Sequence, residues 1–480
     1  MKPNILIFMT DQQRGDSVLA HTQAKMPNVD KFRGEGVTFT QAHCPSPHCC
    51  PSRATFFTGV MPTEHGVWHN VGVANALSRG LKKGCRTWSE DLSENGYSMY
   101  YCGKWHVSDL ESPEDRGWQK ADGGSFHKAG LNYNYPNWDR ICKEGDLPSN
   151  QARQPGEILR SGYPDYTHYG ISENPHGDND VVNEGLTRLK KLKGSATPWC
   201  LYVGTLGPHD PYFVPQRFLE MYSIDDIELP ENFQDDFSNR PNLYKRTRDV
   251  FNQLSTAEHK EAIRHYLAFC SYEDFLFGEM LKGLAEQGDA ENTLVLYLSD
   301  HGDYMGEHGL WTKGLPCFKG AYHIPMIMRW PAGIENPGRS IDSFVGLDSC
   351  APTFLDITKI STARSFSSDS LLPFLQDKPP ACWPDAYFTQ SNGNELYGIQ
   401  RSVTTREYKL VYNGFDYDEL YDLKNDPGES CNLINDLLCE GIIKELYVKL
   451  WKYGKENNET CTNSYIMVGL AKHGPGVVNL

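Results

Sequence analysis

Cys49-Cys50-Pro51-Ser52-Arg53-Ala54-Thr55-Phe56-Phe57-Thr58-Gly59 is the stretch on which the reading of this chain turns. It runs C-x-P-S-R and then x-x-x-F-T-G. Proline is favoured at the first position of a helix, where its missing N–H costs nothing. The spacing therefore predicts a helix opening at Pro51, with Cys49 at its N-terminus and Arg53 one turn along. Free N–H groups and the helix dipole at that end stabilise a thiolate, an alkoxide or a bound oxyanion. The residues alone leave Cys49 several readings. It is a buried structural cysteine, a thiol nucleophile served by a base, or part of a soft-metal cluster with His43, Cys44, His48 and Cys50. The last needs the paired spacing of zinc ligands, which C-x4-C-C does not supply.

Around this stretch lie 480 residues, enough for one large and one small domain. A net charge of −16 argues against nucleic acid as the main partner. An anionic ligand must then be held by a local basic cluster. The 26 Tyr, 21 Phe and 10 Trp supply a sizeable core and stacking surface. The first apolar run, Ile5 to Met9, is too short for a signal peptide and lacks a cleavage site. No stretch is long enough to span a bilayer. With 14 cysteines and no export signal, reduced thiols in a cytoplasm are the expectation. Oligomeric state leaves no trace in the sequence.

Short apolar runs alternate with helical patterns over the first three quarters. Strands are predicted at Ile5–Thr10, Val37–Gln41, Tyr97–Cys102, Trp199–Thr205 and Thr293–Ser299. Helices are predicted at Pro27–Gly34, Thr87–Asn95, Val181–Leu192 and Thr256–Gly288. This alternation implies an α/β fold with a large, mostly parallel mixed sheet sandwiched by helices. Residues 111–180 break the rhythm and read as an insertion, either a cap over the site or a solvated loop. Its aromatics Trp118, Tyr133, Tyr135 and Trp138 would stack on a substrate or form a small core of their own. From about Pro379 the pattern changes to short strands with a turn at Asn413-Gly414, then a helix over Leu437–Lys455. The expected division is a catalytic domain over 1–378 and a smaller subdomain with an antiparallel sheet over 379–480.

Asp11-Gln12 follows the first strand and Asp300-His301-Gly302 follows the strand Thr293–Ser299. Open α/β sheets hold their sites at the carboxyl ends of strands, so the two pairs face one crevice. Carboxylate oxygens and the Gln12 amide oxygen suit Ca²⁺ or Mg²⁺. His301 pulls the preference toward Mn²⁺.

Together these motifs resemble the type I sulfatase family of the alkaline phosphatase-like superfamily, in which the signature cysteine is oxidised to formylglycine by a maturase. The likeness runs from residue 4 to about 435 and is thinnest between 111 and 197. It includes Glu419-Leu420-Tyr421-Asp422-Leu423 and Asp426-Pro427 in the C-terminal part. The family usually has a second acid where Gln12 stands, and Gln12 resembles the branch of choline sulfatases and phosphonate monoester hydrolases.

The resemblance implies a set of roles. Asp11, Gln12, Cys49, Asp300 and His301 would hold Ca²⁺, with Mg²⁺ or Mn²⁺ as alternatives. Formylglycine derived from Cys49 would hydrate, one hydroxyl attacking sulfur and the other expelling sulfate. Arg53 would neutralise the alkoxide. Gly103-Lys104-Trp105-His106 matches G-K-W-H, placing Lys104 on a sulfate oxygen and His106 beside the nucleophile. Pro208-His209-Asp210-Pro211-Tyr212 resembles P-H-x-P-[FY], with His209 as proton donor to the leaving alcohol or as a ligand to the bridging oxygen. Gly309-Leu310-Trp311-Thr312-Lys313 resembles G-L-W-x-K, putting Lys313 on the sulfate; Asn70 matches a position near the substrate.

The expected activity is hydrolysis of a sulfated sugar, an aryl or steroid sulfate, or choline sulfate. The alternative is a phosphonate monoester or phosphodiester hydrolase with the same nucleophile. A third reading, an anion-binding protein with unmodified Cys49, has no use for a nucleophile and a proton donor.

Overall fold

The apolar run that opens the chain becomes β1 (Asn4–Thr10) in a computed structural model. The structure describes residues 2–19, 22–73, 75–121, 153–159, 166–394, 396–462 and 470–479. β1 lies inside a sheet with β2 (Val37–His43), β3 (Ser98–Gly103), β4 (Gln119–Lys120), β6 (Trp199–Gly204), β8 (Thr293–Ser299), β9 (Met326–Arg329) and β10 (Arg339–Gly346). A short strand β5 (Tyr169–Ile171) pairs separately with β7 (Tyr212–Val214). The eight-stranded order is β10-β2-β9-β8-β1-β6-β3-β4.

Only β9 runs against its neighbours. β8, β1, β6 and β3 are parallel, Asn4–Thr10 pairing residue for residue with Thr293–Ser299. β2, reached through β9, points the same way as β8. The carboxyl ends of all five strands therefore share one edge, and each is followed by a segment carrying a candidate site residue.

Side chains of a strand alternate between faces, and both faces here are covered. Ile5, Ile7 and Met9 join Phe56, Phe57 and Trp88 in one core. Leu6 and Phe8 join Tyr266 and Phe277 of the long helix Thr256–Gln287 in the other. All seven residues of β8 are buried, which is why it reads as an uninterrupted apolar run. The fold class is the α/β arrangement expected.

A second, four-stranded antiparallel sheet follows: β11 (Tyr387–Gly393), β12 (Tyr397–Thr404), β13 (Tyr408–Asn413) and β14 (Glu419–Asp422). Its Val403, Leu410 and Leu420 pack on Ile443, Leu446 and Leu450 of the helix Glu440–Glu456. A 3-10 turn, Leu437–Cys439, opens the segment expected to be helical throughout.

Two expectations need correction. The helix at the signature begins at Cys49, so Pro51 stands third in Cys49–Thr58 and not first. The first turn of any helix leaves its N–H groups without intrahelical partners, so proline is tolerated there too. Trp118 belongs to the core, 2% exposed, with ring centroids 5.3 Å from Tyr101 and 5.4 Å from Trp88. It directly precedes β4, which seals the edge of the large sheet. Tyr133, Tyr135 and Trp138 lie outside the described residues.

Asp348 offers a test of this packing. Its carboxyl is buried, Oδ1 has no partner among the described residues, and burial pushes its pKa up to about 6. The native state thus holds a proton that the unfolded chain releases near pH 4. Stability falls as pH rises from about 4 to about 6, then stays lowered. Asp348→Asn should raise the unfolding free energy at pH 8 by about 1–3 kcal/mol and change little at pH 4. Denaturant titrations at both pH values check this; equal gains at both would show that ionisation is not the cause.

Candidate active site

Cys49 and Arg53 stand four residues apart on one helix, so both side chains leave the same face. Three bonds hold the first turn of that helix in place. Ser52 N–H donates to the His48 carbonyl at 3.2 Å. The Ser52 hydroxyl donates to the Ser46 carbonyl at 2.6 Å. Cys50 N–H donates to Asn70 Oδ1 at 3.1 Å. Asn70 is thus a cap for the helix that carries Cys49. It is fixed in turn by its own N–H, which donates to Asn394 Oδ1 at 2.9 Å from the turn between β11 and β12. The neighbouring Trp68 and His69 are buried packing residues.

At the edge of the sheet, Asp11, Cys49, Asp300 and His301 bring one ligand atom each to within 4.8 Å of one another, all buried. His301 Nε2 lies 3.2 Å from Cys49 Sγ and 3.5 Å from Asp11 Oδ1. Its Nδ1 is tied to the Gly302 carbonyl at 3.0 Å, leaving Nε2 turned to the cluster. Arg53, fully buried, braces the acids: Nε donates to Asp300 Oδ2 at 2.7 Å and Nη2 to Asp11 Oδ2 at 3.1 Å. Burial and the nearby Asp11 charge raise the pKa of Asp300. Burial works the same way on Asp11, but Lys104, His209 and Arg53 outweigh it and hold Asp11 ionised. Arg53 and Lys104 offset part of the charge of the two acids, and the donor set of two carboxylates and an imidazole fits a divalent metal.

Gln12 adjoins this cluster, its N–H donating to Asp300 Oδ1 at 3.3 Å and its side chain engaged by other residues. Its Oε1 accepts from Lys313 Nζ at 2.5 Å, and its Nε2 donates to Asp303 Oδ2 at 2.5 Å.

Five basic groups surround the sulfur: Lys104, Lys313, His106, His209 and His301. Lys104 follows Gly103, whose φ of 89° and approach to the Gly204 carbonyl exclude a side chain: a Cβ there would lie 1.9 Å from that oxygen. The Lys104 ammonium pairs with Asp11. Lys313 Nζ is 2.6 Å from His209 Nε2, while His209 Nδ1 donates to the Asp210 carbonyl at 2.6 Å. Burial disfavours a Cys49 thiolate. Lys104, Lys313, His301 and a hydrogen bond with His106 more than offset that, and its pKa falls well below the usual thiol range. His209 is disfavoured as a cation by burial and Lys313, yet Asp210, Cys49 and Asp11 raise it overall. The site thus favours negative charge at residue 49 and on whatever lies against the two lysines.

Every sequence-predicted site residue falls within this region. The sequence reading missed the acids behind it. Asp303 accepts from Tyr212 Oη at 2.6 Å as well as from Gln12, and burial pushes it up to about 6. Asp210 accepts from Tyr166 Oη at 2.9 Å and from Gln12 Nε2 at 3.3 Å. The signal was present: Asp303 stands three residues after Asp300, and Asp210 directly after His209.

Comparison with known proteins agrees with this geometry. A family model described as Sulfatase matches residues 3–360, and one described as N-sulphoglucosamine sulphohydrolase, C-terminal, matches 306–456. An arylsulfatase of Clostridium perfringens is 29% identical over 93% of this chain and 95% of its own. A choline-sulfatase of Rhizobium meliloti is 28% identical over 90% of this chain and 82% of its own. The crystal structure of a phosphonate monoester hydrolase of Agrobacterium radiobacter superposes with a TM-score of 0.76, at 22% identity, over 95% of this chain and 96% of that one. With the sulfatase model covering three quarters of its length, the chain belongs to the sulfatase family, in the alkaline phosphatase-like superfamily.

Proposed function

We propose that this sulfuric ester hydrolase cleaves an organic sulfate monoester to an alcohol and inorganic sulfate, with formylglycine made from Cys49 as its nucleophile. The observation that carries the proposal is the convergence on one sulfur atom of three further cation donors, Asp11, Asp300 and His301, and of two lysines, Lys104 and Lys313. The hydrated aldehyde supplies two hydroxyls on one carbon, one to attack sulfur and one to lose its proton as sulfate departs. Ca²⁺, with Mg²⁺ and Mn²⁺ as alternatives, would be held by Asp11, Asp300, His301 and residue 49, with Gln12 beside them, and when bound would polarise a sulfate oxygen.

The remaining work falls to side chains. Arg53 orients Asp11 and Asp300 and helps hold Asp11 ionised. Lys104 and Lys313 bind sulfate oxygens where negative charge grows. His106 faces the nucleophile. His209, kept in one orientation by its Nδ1–H bond to the Asp210 carbonyl, acts as the imidazolium: once Lys313 turns from Nε2 to the sulfate, Nε2–H faces the leaving oxygen and gives it a proton. Asn70 fixes the helix carrying residue 49 and borders the sulfate. Cys49 is 1% exposed within a helix, so the maturase acts on the chain before this part folds. Residues 379–480 form the smaller subdomain in this reading, and the substrate is a small sulfated sugar, aryl or steroid sulfate, or choline sulfate. Among the described residues no helix is long and apolar enough to cross a membrane; a cytoplasmic location remains the proposal.

Mass spectrometry of the peptide spanning Cys49, from its own host or with a maturase, tests the nucleophile: an aldehyde or its hydrate is expected. An intact thiol in active enzyme would overturn the mechanism. Gln12 in place of a second acid favours one rival, phosphonate monoester hydrolysis. Aryl sulfate should be turned over with the higher kcat/KM; the reverse order against an aryl phosphonate monoester would transfer the assignment.

His209→Ala should cost about 10²–10⁴ in kcat on a sugar or alkyl sulfate and far less on nitrophenyl sulfate, because only poor leaving groups need a proton. Equal losses on both would remove His209 from the acid role.

A further inference from the structure

We propose a second ligand site, outside the candidate active site and independent of the function proposed for it, that binds a single-ring aromatic carboxylate at the junction of the two sheets. The cavity has a volume of about 180 Å³ and includes none of the candidate site residues. A cavity of about 150 Å³ takes a benzene ring, so the space fits one ring and a small substituent.

Its walls are aromatic. Phe344 comes from β10 of the large sheet, Tyr387 from β11 of the small one, and Phe318 from the segment before β9. His43, the last residue of β2, lies between them, its ring 5.2 Å from Tyr387 and 5.8 Å from Phe344. It is 7% exposed, and its Nε2 has no partner among the described residues. A ring entering this cavity would meet the imidazole as one more flat aromatic wall.

The charge points to an anion. On a chain of net −16, the ionised side chains lining this cavity are Lys319, Arg406 and Lys409 against Glu429 alone. Glu429 pairs with Lys409. Arg406 pairs with Asp342, outside the lining, and lies 5.1 Å over the Phe344 ring. The Lys319 ammonium forms no ion pair among the described residues; an acid acting on it, Asp16, is itself paired with Arg14. Burial first, then the nearby Lys319 and Lys409, hold His43 neutral, its pKa well below the usual value; His323 beside it is itself pushed down to about 4 by burial. Lys319 and Arg406 are exposed at the rim, where a carboxylate remains in water while its ring enters.

Calorimetric titration of the full-length protein with sodium benzoate tests this, with benzamide as the neutral isostere and sodium sulfate as the ring-free anion. Benzoate should bind, and both controls should bind at least about tenfold more weakly, the worth of one charge-assisted hydrogen bond. The double variant Lys319→Gln/Arg406→Gln, altered at exposed positions that leave the fold intact, should weaken benzoate by about tenfold or more. Cys49→Ala should bind benzoate as the unaltered chain does. Absence of benzoate binding, unchanged affinity in the double variant, or equal binding of benzamide would overturn the proposal. Loss of binding in Cys49→Ala or competition by sulfate would assign the ligand to the active site and overturn it equally. Failure of any of these leaves turnover of sulfate esters by the Cys49 site untouched.

Discussion

Cys49→Ser is expected to lower kcat for an aryl sulfate by ~10⁴–10⁶, the scale on which removing a covalent nucleophile acts. The substitution is close to isosteric, and residue 49 is the first residue of its helix, so the unfolding free energy should change by less than about 1 kcal/mol. What changes is the chemistry. A serine hydroxyl against Lys104, Lys313 and the cation cluster retains a nucleophilic oxygen. It has no second hydroxyl on the same carbon with which to expel sulfate. One equivalent of alcohol should therefore be released in a slow burst, leaving a sulfate ester on residue 49 that intact-protein mass spectrometry detects. Cys49→Ala has no oxygen and should give neither burst nor adduct. Near-normal turnover in either variant would refute the assignment.

The contrast between serine and alanine separates the proposed nucleophile from a merely structural cysteine, and the surroundings of Cys49 make the contrast meaningful. Cys44 and Cys50 are also buried, yet burial raises both thiols. Only Cys49, of these three, has Lys104, Lys313 and His301 close enough to reverse the sign. That difference is tertiary, and neighbouring residues in the sequence do not reveal it.

The same division between local and tertiary information explains what was legible beforehand. Thr293–Ser299 and Pro27–Gly34 appear at the expected residues because their signals are local: a run buried on both faces, and proline at a helix start. The parallel order of β8, β1, β6 and β3 turns four separate strand-end motifs into one site, and alternation of strands and helices foretells that much. Trp118 was misplaced because its segment has no periodicity of its own; its burial depends on Trp88 and Tyr101, elements it meets only in the fold. Pro51 sits two positions deeper in its helix than expected because the cap comes from Asn70, twenty residues on, and not from an adjacent side chain. The partners of Gln12 were hidden for a related reason. Asp303 and Lys313 come from the segment after β8, 291 and 301 residues away.

Arg53→Met should cost about 3–5 kcal/mol of stability in the presence of chelator, the range for breaking a buried ion pair from one side. Methionine fills similar volume, so the loss is electrostatic. Arg53, Asp11 and Asp300 are all 0% exposed, and the guanidinium is bonded to both acids. Without it two carboxylates stay buried near His301 with Lys104 on Asp11 alone. Two consequences follow that a simple packing defect would not produce. A divalent cation binding only the folded state stabilises by RT ln(1 + [M]/Kd). With Arg53 gone the cluster carries one more uncompensated negative charge, so added Ca²⁺ should recover more stability in the variant than in the unaltered chain. Arg53→Lys should fall between the two, since an ammonium is a point charge and cannot bond both carboxylates in the fork geometry of a guanidinium. Denaturant midpoints measured with EDTA and with Ca²⁺ for the three proteins decide the matter. A variant as stable as the parent in EDTA would show that Arg53 does not hold the acids together. A deficit that Ca²⁺ leaves unchanged would show that Asp11 and Asp300 are not the seat of the cation.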